Sequence, residues 1–131
     1  MKFLIQFLFL GLLFAACSSS KKAASANGGW DKKHLELGKV KKGEKPVFFF
    51  EFTNRTASDV QVEIVDACDC TKVDFPRGPI QPGKKGRFDV IFDSTEKTES
   101  ETLDIRVIWK GRDAEGNPVF DVLSYHFELV K

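Results

Sequence analysis

Residues 46–54 read Pro-Val-Phe-Phe-Phe-Glu-Phe-Thr-Asn, and the apolar period of this stretch is two. Phe48, Phe50 and Phe52 share one face of an extended chain, while Phe49, Glu51 and Thr53 share the other. A helix would spread those phenylalanines around its circumference; a strand collects them on one side. The same alternation recurs downstream. Val60, Val62 and Ile64 alternate with Gln61 and Glu63; Phe88, Val90 and Phe92 alternate with Arg87 and Asp89. Leu103, Ile105, Val107 and Trp109 alternate with Asp104 and Arg106, and Leu123, Tyr125, Phe127 and Leu129 with Ser124, His126 and Glu128. Phe50, Phe52, Ile64, Val90, Ile105 and Phe127 are thus the expected core. Phe120 and Val122 stand in the opposite phase to the last set, which predicts a bulge or bend near Asp121.

Turn signals separate these runs: Lys42-Gly43-Glu44, Asn54 to Ser58, Pro82-Gly83 and Glu115-Gly116-Asn117-Pro118. Weaker strands are expected over Leu35–Val40 and Thr71–Phe75. Six or seven short strands within about 100 residues, with no helical stretch, predict an all-β, antiparallel, immunoglobulin-like sandwich over residues 34–131. A small barrel is the competing architecture. The Cys-Trp-Cys pattern of true immunoglobulin domains is absent, so the likeness concerns architecture. The whole chain has 131 residues, enough for one domain, and its thirteen Phe and two Trp supply a packed core. A formal net charge of +1 argues against nucleic acid as a partner.

Residues 1–16 are set aside as a signal peptide. Lys2 is a minimal positive start, and the apolar run from Phe3 to Phe14 is too short for a spanning helix, which needs roughly 20 residues. The run ends at Phe14-Ala15-Ala16-Cys17, which resembles the lipobox of bacterial lipoproteins, with Phe14 where Leu is usual. That resemblance implies cleavage before Cys17, acylation of Cys17 and attachment to membrane lipid. Two or three acyl chains, at about 0.8 kcal/mol per buried CH₂, make such an anchor effectively permanent. Residues 17–33 are then the lipidated Cys and a flexible tether, because Ser18 to Gly29 is small, polar and without period. Charge is uneven: residues 21–45 balance to +5 and residues 46–131 to −5. A solvated Lys-rich edge is the preferred reading of that segment over a lipid-headgroup contact.

Three blocks, Phe50-Glu51-Phe52-Thr53-Asn54, Cys68-Asp69-Cys70-Thr71 and Pro79-Ile80-Gln81-Pro82-Gly83, are followed by Gly86 and Val90-Ile91-Phe92. In that order they resemble domain-of-unknown-function family 1573, small secreted or lipid-anchored bacterial domains with an immunoglobulin-like sandwich. The resemblance spans roughly residues 35–130 and implies an envelope location and the fold, but no activity. The family commonly has Gly between the two cysteines, where this chain has Asp69.

Once Cys17 is lipidated, Cys68 and Cys70 are the remaining thiols. An oxidising envelope favours a disulfide, but in fully extended chain residues i and i+2 lie about 6.5–7 Å apart at Cα, near the limit for a bridge. A plain reduced pair is therefore the first reading, ahead of a labile redox pair and a soft-metal site for Cu(I). Asp66, Asp69 and Asp74 crowd the pair with negative charge, which disfavours thiolate. The pair is expected at a strand end or in the loop before Pro76. His34 and His126 are far apart in sequence, and His126 falls on the outward phase of its strand. Asp93-Ser94-Thr95 resembles an O-glycosylation acceptor of some Gram-negative envelope proteins, making Ser94 a modification candidate; Asn54-Arg55-Thr56 is a chance sequon in a bacterial chain. No cofactor is expected. The sequence thus predicts a lipid-anchored, non-catalytic binding or structural module at the outer membrane, facing the periplasm, with an envelope protein or glycan as its partner. A thiol redox or copper-binding protein using Cys68 and Cys70 is the alternative.

Overall fold

The computed structural model describes residues 29–131. The expected signal peptide over 1–16, the expected lipidation site Cys17 and the expected tether up to residue 28 lie outside the described residues. Seven strands follow: β1 His34–Lys41, β2 Val47–Thr53, β3 Val62–Asp66, β4 Thr71–Asp74, β5 Lys85–Phe92, β6 Glu101–Arg112 and β7 Pro118–Val130. They make two sheets in the orders β1-β7-β6-β3 and β2-β5-β4, a sandwich rather than a barrel. Every strand pair is antiparallel except β1 with β7, which is parallel and corrects the all-antiparallel expectation. The reason lies in how the chain enters. Trp30 bridges Phe52 antiparallel to β2, and the chain keeps that direction as it crosses to the other sheet and meets β7.

That entry segment also corrects the tether boundary at residue 33. Trp30 is 8% exposed and its ring packs 4.8 Å from Phe88 and 5.2 Å from Phe52. Gly29 lies so close to β2 that a Cβ on it would fall 2.0 Å from the Thr53 carbonyl oxygen. Period-two alternation begins the domain only at its first strand, but one large aromatic outside the period is enough to extend the core.

The inner faces of both sheets supply that core. Phe50, Phe52, Val90, Ile105 and Phe127 are all at most 2% exposed, joined by Phe88, Phe92, Val107, Trp109, Leu123 and Tyr125. Ile64 is the exception among the expected core residues, at 53% exposed. Val62 pairs with Trp109 and Ile64 with Ile108, so Glu63 is an extra residue that flips the strand phase. Beyond it, Val65 and Ala67 carry the inward side.

The bend expected near Asp121 is absent. The ladder between β6 and β7 runs unbroken from Glu101↔Phe127 to Trp109↔Val119, and its register shifts only between Trp109 and Arg112. Asp121 points inward, 2% exposed, in phase with Leu123 and Tyr125. Its Oδ2 accepts hydrogen bonds from both indoles, Trp30 Nε1 at 3.0 Å and Trp109 Nε1 at 2.9 Å. Phe120 and Val122 are therefore outward residues of a regular strand, and the apparent break in phase is a polar residue at an inward position.

Two outcomes follow in urea unfolding. Phe50→Ala should lose about 3–5 kcal/mol, whereas Ile64→Ala should lose well under about 1 kcal/mol, because only the first empties core volume. Asp121→Ala leaves two indole N–H donors without their acceptor and should cost about 2–6 kcal/mol, at about 1–3 for each donor. A mild Asp121→Ala paired with a severe Ile64→Ala would reverse the placement of both residues.

Candidate functional site

Cys68 and Cys70 lie in the turn between β3 and β4, as expected, but they are joined by a disulfide. This corrects the reduced-pair reading. The Thr71 N–H donates to the Cys68 carbonyl at 2.9 Å, closing a turn that brings the two Cα atoms to 5.2 Å. An extended chain could not do this; the turn does. With both sulfurs in one bond, neither is available as a thiolate ligand for copper until the bridge is reduced.

The surroundings of the bridge are polar on one side and apolar on the other. Cys68 is exposed and shares an open groove of about 330 Å³ with Asp66, Ala67, Asp104, Arg106 and Val122. Cys70 is half-buried against the core, and its carbonyl accepts from the Asp93 N–H at 2.8 Å. Beneath the pair sits Thr71, whose Oγ1 is 3.1 Å from Cys68 Sγ, 3.6 Å from Cys70 Sγ and 2.6 Å from the Tyr125 hydroxyl. Sequence reading singled out the cysteines but missed these two hydroxyls. Thr71 was legible as the neighbour of Cys70; Tyr125, 54 residues on, reaches it only through sheet packing.

Ser94 is fully buried, which corrects its place as a glycosylation candidate. Its hydroxyl donates to the Glu44 carbonyl at 2.6 Å and accepts from the Gly43 N–H at 2.9 Å, so it holds the β1–β2 turn from within. Asn54 is likewise buried, donating through Nδ2 to the carbonyls of Ser58 and Ile80.

The histidines, remote in sequence, both lie on the outer face of the parallel β1–β7 pair, each with its own partners. His34 Nδ1 lies 2.8 Å from Ser124 Oγ and its Nε2 2.8 Å from Glu36 Oε1, while His126 Nδ1 lies 3.0 Å from Thr102 Oγ1. The serine, histidine and glutamate echo a hydrolytic triad, but they stand on flat sheet. The Ser124 N–H is spent on the Lys33 carbonyl at 2.8 Å, so it cannot stabilise an oxyanion. The chain of hydrogen bonds ties two strands together.

A second surface is the free edge of β2. Thr53 N–H donates to Gly29 O at 2.8 Å and Asp31 N–H donates to Glu51 O at 3.0 Å, so odd-numbered residues of β2 turn their backbone groups outward. At Val47 and Phe49 those groups have no backbone partner among the described residues. Val47, Phe49 and Ile91 are 70%, 46% and 43% exposed, and Arg87 lies over the Phe49 ring at 3.9 Å. Between this edge and β1 opens a groove of about 360 Å³ whose lining includes Lys32, Leu35, Phe48 and Phe50.

Burial pushes the Tyr125 phenol up from 10.0 to about 12, with the Thr71 hydrogen bond opposing the rise. Since the folded value lies above the unfolded one, its stabilising contribution is whole below pH 10 and is lost as pH climbs through about 12. Tyr125 is the single tyrosine of the chain, so phenolate absorbance of the folded protein should report it cleanly. A midpoint near 10 in folded protein would place the hydroxyl in solvent instead.

In sequence, the chain matches the family described as "Protein of unknown function (DUF1573)" over residues 29–118, and no curated protein resembles it. Among solved structures, PapD-like domain 7 of human CEP192 aligns at 8% identity over 100% of this chain and 99% of that one, with a TM-score of 0.63. A Porphyromonas gingivalis W83 protein of unknown function aligns at 21% identity over 82% of this chain and 49% of that one, with a TM-score of 0.62. The Vibrio cholerae VesB protease aligns at 16% identity over 76% and 31%, with a TM-score of 0.61. The chain therefore spans about half of the second protein and a third of the protease. At such identities the likeness shows a PapD-like, immunoglobulin-like sandwich, and proteolysis stays a property of the protease. Matched over most of its length, the chain belongs to the DUF1573 family, whose function is unknown.

Proposed function

We propose that this protein is a non-catalytic binding module of the bacterial cell envelope, anchored by lipid on Cys17 at the outer membrane and facing the periplasm. The observation that carries the binding reading is the edge of β2. The sandwich has four edges, β1, β3, β2 and β4, and three of them are defended. β1 breaks register between Glu36 and Lys39, where Gly38 takes a φ of +71°, and carries exposed Lys39 and Lys41. β3 has five residues and the Glu63 bulge; β4 has four, with Lys72 and Asp74 exposed. By contrast β2 has seven residues in unbroken register with β5, and the entry segment covers only its far end.

An extended segment of an envelope protein fits this edge by strand addition. Its backbone would bond to Val47 and Phe49, and alternate apolar side chains would enter the groove against Leu35, Phe48 and Phe50. Lys45 and Arg87 flank the outward positions and suit acidic side chains there. A glycan would leave the apolar groove unfilled. Residues 18–28 can span at most about 40 Å from Cys17, enough to hold the edge clear of the headgroups.

Two measurements test the reading. Mass spectrometry of the membrane-bound protein should show an N-terminus at Cys17 carrying a diacylglyceryl addition; an unmodified Cys17 within a longer N-terminus would overturn the anchor. A benzophenone photo-crosslinker at Phe49 should yield an adduct with one envelope protein in intact cells. Val47→Pro should abolish that adduct without changing stability, because the Val47 N–H faces away from β5. An adduct that survives Val47→Pro, no adduct, a glycan adduct, or a dimer of the chain itself would overturn the edge.

A further inference from the structure

The bridge rests on a hydroxyl relay that a merely structural disulfide does not require. Tyr125 is fully buried and Thr71 is 9% exposed. Their oxygens meet at 2.6 Å, with Thr71 Oγ1 in reach of both sulfurs, at 3.1 Å from Cys68 and 3.6 Å from Cys70. Held protonated by burial, the phenol can donate to Thr71, whose own proton is then free to point at sulfur. Disulfide sulfur accepts weakly, but a thiolate accepts strongly, because the bond is charge-assisted. The relay therefore acts most after the bridge opens.

Access to the two sulfurs is unequal. Cys68 faces the groove of Asp66, Asp104 and Arg106, whereas Cys70 packs against the core. An incoming nucleophile meets Cys68, and Cys70 is the sulfur that leaves. Exposed disulfides with a stabilised leaving thiolate are the ones that exchange.

We propose that Cys68–Cys70 is a thiol–disulfide exchange site served by a dithiol reductant, with Thr71 and Tyr125 as positioning residues for the departing Cys70 thiolate. In the first step the reductant's thiolate bonds to Cys68 Sγ, the Cys68–Cys70 bond breaks, and its electron pair stays on Cys70 Sγ, capped by the Thr71 hydroxyl. The reductant's second thiolate then attacks its own bridging sulfur and releases Cys68 as thiolate. Two electrons pass to the protein, the dithiol becomes a disulfide, and the two protons of the dithiol end on solvent or on the released thiolates. The site makes the module redox-responsive and is independent of strand addition at β2.

Dithiothreitol, followed by alkylation and mass spectrometry of the folded protein, tests the proposal. Wild type should be reduced without unfolding, and a monothiol should be trapped on Cys68. Thr71→Val should slow reduction about tenfold, the effect of losing one charge-assisted hydrogen bond, and should shift the pH profile of Cys70 alkylation to higher pH. Thr71→Ser should restore both, and Tyr125→Phe should fall between. Acidic Asp66, Asp69 and Asp104 and basic Arg106 remain in every variant, so their fields cancel in the comparison. Circular dichroism confirms that each variant is folded; if Thr71→Val is not, Thr71→Ser and Tyr125→Phe carry the comparison. A bridge reduced only after urea unfolding, trapping on Cys70, or folded variants that match wild type in rate and pH profile would overturn the assignment.

Discussion

The Asp121 carboxylate is the constraint on which the rest of the sandwich is arranged. A carboxylate taken out of water costs several kcal/mol unless partners replace its hydration. Here two indole N–H groups converge on one oxygen, and Lys33 Nζ stands 3.7 Å from the other. The lysine head remains half-exposed, so its contribution is small beside that of the indoles. Trp30 belongs to the entry segment, Trp109 to β6 and Asp121 to β7, so one side chain joins three separate stretches of chain. Both indoles also pack on Phe52 and Phe88 of the β2-β5-β4 sheet, Trp30 from the edge of that sheet and Trp109 from the sheet facing it. The polar clamp thus sits inside an aromatic cluster that spans both layers.

The same architecture explains where the molecule is open. Because the entry segment leaves β2 after Asp31 to join β7, it covers only part of the β2 edge and continues into β1 on the opposite sheet. One crossing produces the parallel pair, the groove between β1 and β2, and, among the described residues, the unpaired backbone at Val47 and Phe49. A chain that stayed on β2 would have sealed that edge. A chain that started at β1 would have lost Trp30 and with it half of the Asp121 clamp.

The Cys68–Cys70 turn has a different relation to the core. Thr71 is the first residue of β4 and is buried at the joint between turn and sheet, so its hydroxyl connects an exposed bridge to the buried Tyr125. Polar contacts of this kind order a local turn without adding apolar area. They also make the chemistry of the sulfurs dependent on a residue of β7, in the opposite sheet.

The sequence alone determined the strand periods, the sandwich class, most of the core and the family, because period-two burial is a local property written in every second residue. It also placed the cysteines correctly between two strands. Phase beyond a bulge was not legible: Ile64 continues the pattern of Val62 in sequence, and only the register against Trp109 and Ile108 turns it outward. Nor was the role of Asp121 legible, since an inward aspartate looks like an interruption until two indoles from distant positions meet it. The disulfide depended on the tightness of a turn, the burial of Ser94 on a carbonyl of another loop, and the inclusion of Trp30 on a cavity made by both sheets. Apart from the Cys68–Cys70 turn, which is local, these are contacts between residues tens of positions apart, and their free energies exist only once the layers have closed.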